Sequence, residues 1–141
     1  MDGRETYRFA TRTLASTAAT AVGKAGWSPS EIDLIVPHQA NARIIEAVAK
    51  GLDLPMERMF VNIDRYGNTS AASVPIALVE AIEAGRVKVG DRLVFVAFGA
   101  GFTSGAVALE WTADPARGAL GAAVPADSVP LRAPEMAVGG D

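Results

Sequence analysis

Apolar residues recur in two periods along this chain, and the switches between them divide it into elements. From Tyr7 to Ala25, Phe9, Leu14, Ala18, Ala21 and Val22 follow a roughly helical spacing, and Gly26 is a natural stop for that helix. Ser28-Pro29-Ser30-Glu31 then has a serine cap, a proline at the first helical position and a glutamate at the third, the signature of a short capped turn. Ile32 to Val36 is rich in β-branched residues, which predicts a strand buried on both faces. Asn41 can cap the helix that follows, in which Ile44, Ile45, Val48 and Leu52 share a face and Gly51 lies near the end.

Leu54-Pro55-Met56-Glu57-Arg58 reads as a second short turn, Met59 to Ile63 as a brief strand, and Arg65-Tyr66-Gly67-Asn68 as the turn after it. A helix capped by Thr69 or Ser70 is expected next, with Pro75 tolerated in its first turn. Ala71, Ala72 and Ser73 would allow a close backbone approach, and Ile76, Leu78, Val79 and Ile82 would pack before Gly85 ends the helix. Val89-Gly90-Asp91 turns the chain into the strand Arg92 to Phe98. The glycine-rich loop 99–105 leads into a last strand, Ala106 to Trp111, antiparallel to it because the connection is tight. The order helix, strand, helix, strand, helix, strand, strand indicates an α/β domain, with layered helices around a mixed β-sheet. It is expected to span residues 1–112. Residues 113–141 are Ala-, Pro- and Gly-rich without periodicity and hold four of the eight prolines, and a disordered C-terminal tail is expected there.

Composition narrows the function. Half the 141 residues are apolar and 21% are charged, a globular balance. The net charge of −3 leaves no footprint for nucleic acid or an anionic membrane, and no apolar run is long enough to span a bilayer. A soluble, cytoplasmic protein is the expectation. There is no cysteine and a single histidine, which excludes a disulfide framework and a cysteine nucleophile within the chain and leaves no typical transition-metal site. Ser70, Ser73 and Ser104 lie outside any G-x-S-x-G elbow, so a serine hydrolase is not supported.

The chemistry therefore centres on His38, at the carboxyl end of the first strand, and Asn68, in a glycine turn before a helix. Strand ends of this kind are where α/β sheets place their sites. An imidazole N–H and a carboxamide N–H can converge on one carbonyl oxygen and stabilise charge developing there. The pair cannot hold an acyl group; a nucleophile must come from elsewhere. The 99–105 loop does not open a helix, so a phosphate-binding role is disfavoured against a plain interstrand turn. Its backbone N–H groups could also join an oxyanion hole beside His38.

Val36-Pro37-His38-Gln39-Ala40-Asn41, Tyr66-Gly67-Asn68-Thr69-Ser70-Ala71-Ala72-Ser73 and Phe98-Gly99-Ala100-Gly101-Phe102-Thr103 together resemble β-ketoacyl-acyl-carrier-protein synthase III, from about Asp2 to Trp111. The resemblance implies the C-terminal half of a thiolase-like fold, acyltransferase activity in fatty acid or related polyketide biosynthesis, and homodimers. It implies that a cysteine on the first half accepts the acyl group of acyl-CoA. His38 and Asn68 would bind the thioester carbonyl of malonyl-acyl-carrier protein during decarboxylative condensation. Ala100 would occupy the oxyanion-loop position, and Gln39, Ala40, Asn41, Ala42 and Arg43 the stretch that binds carrier protein or CoA. CoA and carrier-protein thioesters would be substrates, with no separate cofactor. The implied partners are acyl-carrier protein, acyl-CoA, a second copy of the chain and a cysteine-bearing N-terminal half or subunit. Because the resemblance starts within the family's chain, a non-catalytic CoA- or carrier-binding module and an inactive gene fragment stand as alternatives. An isolated half should self-associate through its uncovered faces.

Overall fold

A computed structural model describes residues 3–114. The expected tail therefore lies, from residue 115 onward, outside the described residues. Helix α1 spans Gly3–Lys24, strand β1 Leu34–Pro37, helix α2 Ala42–Gly51, the one-turn helix α3 Ile63–Tyr66, helix α4 Ser73–Glu83, and strands β2 and β3 Arg92–Gly99 and Thr103–Glu110. Single 3-10 turns occupy Pro29–Glu31, Met56–Arg58 and Ser70–Ala72.

The sheet order is β1-β2-β3, with β1 parallel and β3 antiparallel to β2. Helices α1 and α2 cover one face. Ile35, Val94 and Val96 meet Leu14, Ala18, Val22, Ile45 and Val48 there. Helix α4 covers the other face, where Leu34, Val36 and Leu93 meet Ala77 and Ala81. Alternate residues of β1 thus enter two different cores, so all four of its residues are buried and the strand shows no polar face. The expected α/β layering around a mixed sheet is the observed one.

Local signals account for the element ends. Asn41 takes an extended conformation and its side chain accepts the Arg43 N–H at 2.9 Å, capping α2. The Ser28 N–H donates to the Glu31 carboxylate at 2.8 Å. Helix α4 ends with Gly85 at φ +66°, where the Arg86 N–H reaches back to the Ala81 carbonyl at 2.8 Å and the Gly85 N–H to Ile82 at 3.0 Å. That pairing needs a left-handed residue, which glycine adopts without strain.

Three expectations are corrected. Residues 59–63 are not a strand. They make one bridge, Ile35 to Met59, and one ladder bond from the Phe60 N–H to the Ile35 carbonyl, and Ile63 already begins α3. Two residues on, where a continuing ladder would next donate to β1, the Asn62 N–H is taken by the Gln39 side chain at 3.0 Å, so the ladder stops. Helix α4 is not capped by Thr69 or Ser70: Ser70 has φ +55°, and neither hydroxyl makes a cap bond. The buried stripe of α4 is Ser73, Ala77 and Ala81, whereas Ile76 and Val79 are only half-buried. Small residues on that stripe set the helix backbone close to the sheet.

Helices α1 and α2 also meet closely. A Cβ on Gly51 would stand 2.5 Å from the Ala15 Cβ, closer than packed carbon atoms come. Gly51→Ala is therefore expected to lower stability by about 1–2 kcal/mol despite alanine's helix preference, read as a lower urea midpoint.

Candidate active site

His38 follows β1 directly. Its N–H donates to the Val96 carbonyl at 2.8 Å, extending the β1–β2 pairing by one residue, and its own carbonyl accepts the Ala40 N–H at 3.0 Å. The backbone is thus held on both sides while the half-buried ring projects past the end of the strand. The ring lies edge-on to Phe98, with centroids 5.6 Å apart. Its Nδ1 is 2.5 Å from the Ser73 hydroxyl. Burial pulls the imidazole pKa below its ordinary value, so the ring is neutral near pH 7.

Asn68 is presented by a different device. Glu80 of α4 accepts hydrogen bonds from Tyr66 Oη at 2.6 Å, from Asn62 Nδ2 at 2.7 Å and from Arg65 at 2.7 Å. The Tyr66 hydroxyl and the Asn62 amide hold the Glu80 carboxyl below the usual carboxylate range. This one carboxylate fastens α3 to α4. Gly67, at φ +65°, then turns the chain and exposes Asn68. The Asn68 Oδ1 accepts the Ser70 N–H at 2.9 Å. A backbone N–H can only donate, which identifies the oxygen of that carboxamide. Its Nδ2 donors are left without a partner among the described residues.

His38 and Asn68 line one open cleft of about 690 Å³, together with Thr6, Tyr7, Phe98 and Gly99. A second groove of about 500 Å³, lined by Val74, Ala97 and Thr103, meets it at His38 and Phe98. The cleft therefore combines an imidazole and an amide donor with a mixed polar and apolar lining, an arrangement able to bind a carbonyl oxygen. Among the described residues no group of three or more His, Cys, Asp or Glu side chains could hold a metal ion, and no helix is long and apolar enough to cross a membrane.

The other expected site residues separate. Ala40 and Asn41 line the same cleft. Ala42 and Arg43 are exposed in the first turn of α2. Ala100 sits on the exposed hairpin turn, and Gly99, the last residue of β2, is the member of the expected 99–105 loop that lines the cleft. Gln39 departs from its expected role in carrier or CoA binding. It is 1% exposed, and its carboxamide donates to the Pro37 and Phe60 carbonyls at 2.9 and 3.1 Å while accepting from Asn62. A side chain with all these bonds satisfied internally is part of the scaffold. Sequence reasoning missed two supports, Ser73 and Glu80. Both lie in α4, one at its first turn and one on its half-buried flank, where serine and glutamate carry no local signal of their partners.

The histidine has a testable thermodynamic signature. The unfolded chain protonates its one imidazole near pH 6.5, while the folded ring, with its lowered pKa, resists. The unfolded state then binds more protons, so this contribution is complete above about pH 6.5 and is lost as pH falls toward the folded pKa. Urea midpoints at pH 7.5 and 5.5 should fall more for the parent than for His38→Gln.

Residues 22–111 match the family described as 3-Oxoacyl-[acyl-carrier-protein (ACP)] synthase III C terminal. The chain is 57% identical over 113 residues to the beta-ketoacyl-acyl-carrier-protein synthase III of Roseiflexus sp. (strain RS-1), covering 80% of this chain and 34% of that protein. It is 50% identical over 112 residues to that of Clostridioides difficile (strain 630), covering 79% and 34%. The solved synthase III of Thermus thermophilus superposes with a TM-score of 0.77 at 53% identity, covering 79% of this chain and 35% of that one. A priming β-ketosynthase of the R1128 polyketide pathway gives 0.74 at 36% identity, covering 82% and 34%. The chain spans about a third of the length of these relatives. It belongs to the 3-oxoacyl-acyl-carrier-protein synthase III family and carries that family's C-terminal, thiolase-like domain.

Proposed function

We propose that this domain, residues 1–112, supplies the carbonyl-binding part of a decarboxylative Claisen condensation between an acyl-CoA-derived acyl group and malonyl-acyl-carrier protein. The observation that carries the reading is the shared cleft of His38 and Asn68, each with a donor not consumed by the scaffold. The malonyl thioester oxygen accepts the His38 Nε2–H and an Asn68 Nδ2–H. Loss of CO2 leaves the C–C electron pair on the thioester as an enolate, with negative charge on that oxygen, and both donors strengthen as the charge develops. The enolate carbon attacks an acyl thioester; the new C–C bond forms and a cysteine thiolate leaves. The chain contains no cysteine, so that sulfur belongs to a further segment or a separate polypeptide. Homodimerisation, a cytoplasmic setting and a role in fatty acid or polyketide synthesis belong to the same reading. Ala42 and Arg43, exposed at the start of α2, are the residues available to an acidic carrier or a CoA phosphate.

A module that only bound CoA or carrier protein would have no use for two unpaired donors facing a shared cleft, which favours catalysis. The test is co-expression with a cysteine-bearing synthase III N-terminal segment, followed by assay of acyl-CoA with malonyl-carrier protein. β-Ketoacyl product should form with the assembled pair and with neither part alone. A stable assembly that forms no product would overturn the reading.

A further inference from the structure

Ser73 takes no part in the Asn68 turn and does not line either groove, yet its position is tightly specified. It is the first residue of α4 and is 2% exposed. Its hydroxyl oxygen lies 2.5 Å from His38 Nδ1 and also accepts the Gln39 N–H at 3.1 Å. The amide can only donate, so that contact occupies a lone pair of the hydroxyl and leaves its proton in need of an acceptor. Among the described residues, His38 Nδ1 is the one group able to accept that proton to which Ser73 Oγ is hydrogen-bonded. A ring protonated on Nδ1, neutral or cationic, would turn that contact round and strand a buried hydroxyl proton.

We propose that Ser73 is a positioning residue that donates its hydroxyl proton to His38 Nδ1, fixing the neutral ring as the Nε2–H tautomer and leaving Nε2–H as its free donor. The Gln39 N–H orients the hydroxyl, and because Gln39 is itself bonded to Pro37, Phe60 and Asn62, the whole relay is anchored in the core. The ring's burial acts in the same direction by disfavouring the cation. The catalytic meaning of the relay rests on the condensation reading above. With the opposite tautomer, Nε2 would present a lone pair to the thioester oxygen and repel the charge it is meant to stabilise. The hydrogen bond itself does not depend on that reading.

The chain's single histidine makes the test direct. The 141-residue chain is labelled with ring-¹⁵N histidine, and long-range ¹H–¹⁵N correlations are recorded at pH 8, by magic-angle spinning if the chain self-associates. The expected spectrum has a protonated Nε2 and a bare Nδ1 shifted by an accepted hydrogen bond. In Ser73→Ala the Nδ1 signal should move to the position of a free acceptor and a mixed tautomer population should appear. Ser73→Thr, which keeps the hydroxyl, should restore the parent pattern. A parent ring protonated on Nδ1, or a folded Ser73→Ala variant with an unchanged spectrum, would overturn the proposal. The parent spectrum decides the tautomer even where a variant fails to fold. Because no substrate is used, an inactive assembly would count against the condensation reading and not against the relay.

Discussion

On the proposed reading, His38→Ala is expected to lower the rate of malonyl-thioester decarboxylation in the assembled enzyme by about two to three orders of magnitude, equivalent to about 3–4 kcal/mol of lost transition-state stabilisation. The size follows from where the donor acts. In the ground state the thioester oxygen carries only a partial charge, and the hydrogen bond from a neutral imidazole is modest. In the enolate that oxygen is anionic and the half-buried setting of His38 screens it poorly. The loss should therefore fall mainly on kcat, with a smaller change in the KM for malonyl-carrier protein. Asn68→Ala should behave alike, because its Oδ1 holds the turn while its Nδ2, without a partner among the described residues, can make the second bond. Release of CO2 from labelled malonyl-carrier protein measures both variants; equal rates for parent and variant would remove the residue from the mechanism.

Gln39→Leu should be the most destabilising change of similar volume near the site, by about 3 kcal/mol or more. It orphans two carbonyls, Pro37 and Phe60, and the Asn62 N–H, and each buried group left unpaired costs about 1–3 kcal/mol. Gln39 replaces a strand ladder: its carboxamide joins the end of β1 to residues 60–62, and those residues lead into α3 and the Asn68 turn. A carrier-contacting glutamine would behave in the opposite way, with near-parental stability and a raised KM for carrier protein. Urea denaturation of the variant separates the two.

These two residues also show what the sequence could and could not disclose. His38 and Asn68 were legible because each is placed by local chemistry: a buried strand followed by a helix cap at Asn41, and a glycine turn at Gly67. The caps at Ser28–Glu31 and Asn41 and the antiparallel pairing of β2 with β3 were legible for the same reason, although Gly99 and Thr103 to Gly105, expected as loop, are paired strand residues. What escaped depends on contacts across the fold. Gln39 sits one residue from His38 in an otherwise functional motif, and only the arrival of Phe60 and Asn62 makes it structural. The 59–63 segment has strand-like composition, but a side chain instead of a neighbouring backbone takes its next N–H. Ser73 was readable as a small residue on α4 but not as the partner of His38, 35 residues earlier. The resemblance to synthase III supplied the assignment of roles; the geometry then moved Gln39 from partner binding to scaffold and left Ala100 off the cleft.

The proposed function is a division of labour in which this domain holds the malonyl carbonyl and another segment holds the acyl group. One experiment on the assembled enzyme addresses it: the parent and His38→Ala are given acyl-CoA and labelled malonyl-carrier protein, and the same sample is read for acyl-cysteine by mass spectrometry and for released CO2. His38→Ala should still load the partner segment's cysteine to the parental extent while CO2 release falls by about two to three orders of magnitude. Lost loading with CO2 release intact would contradict it.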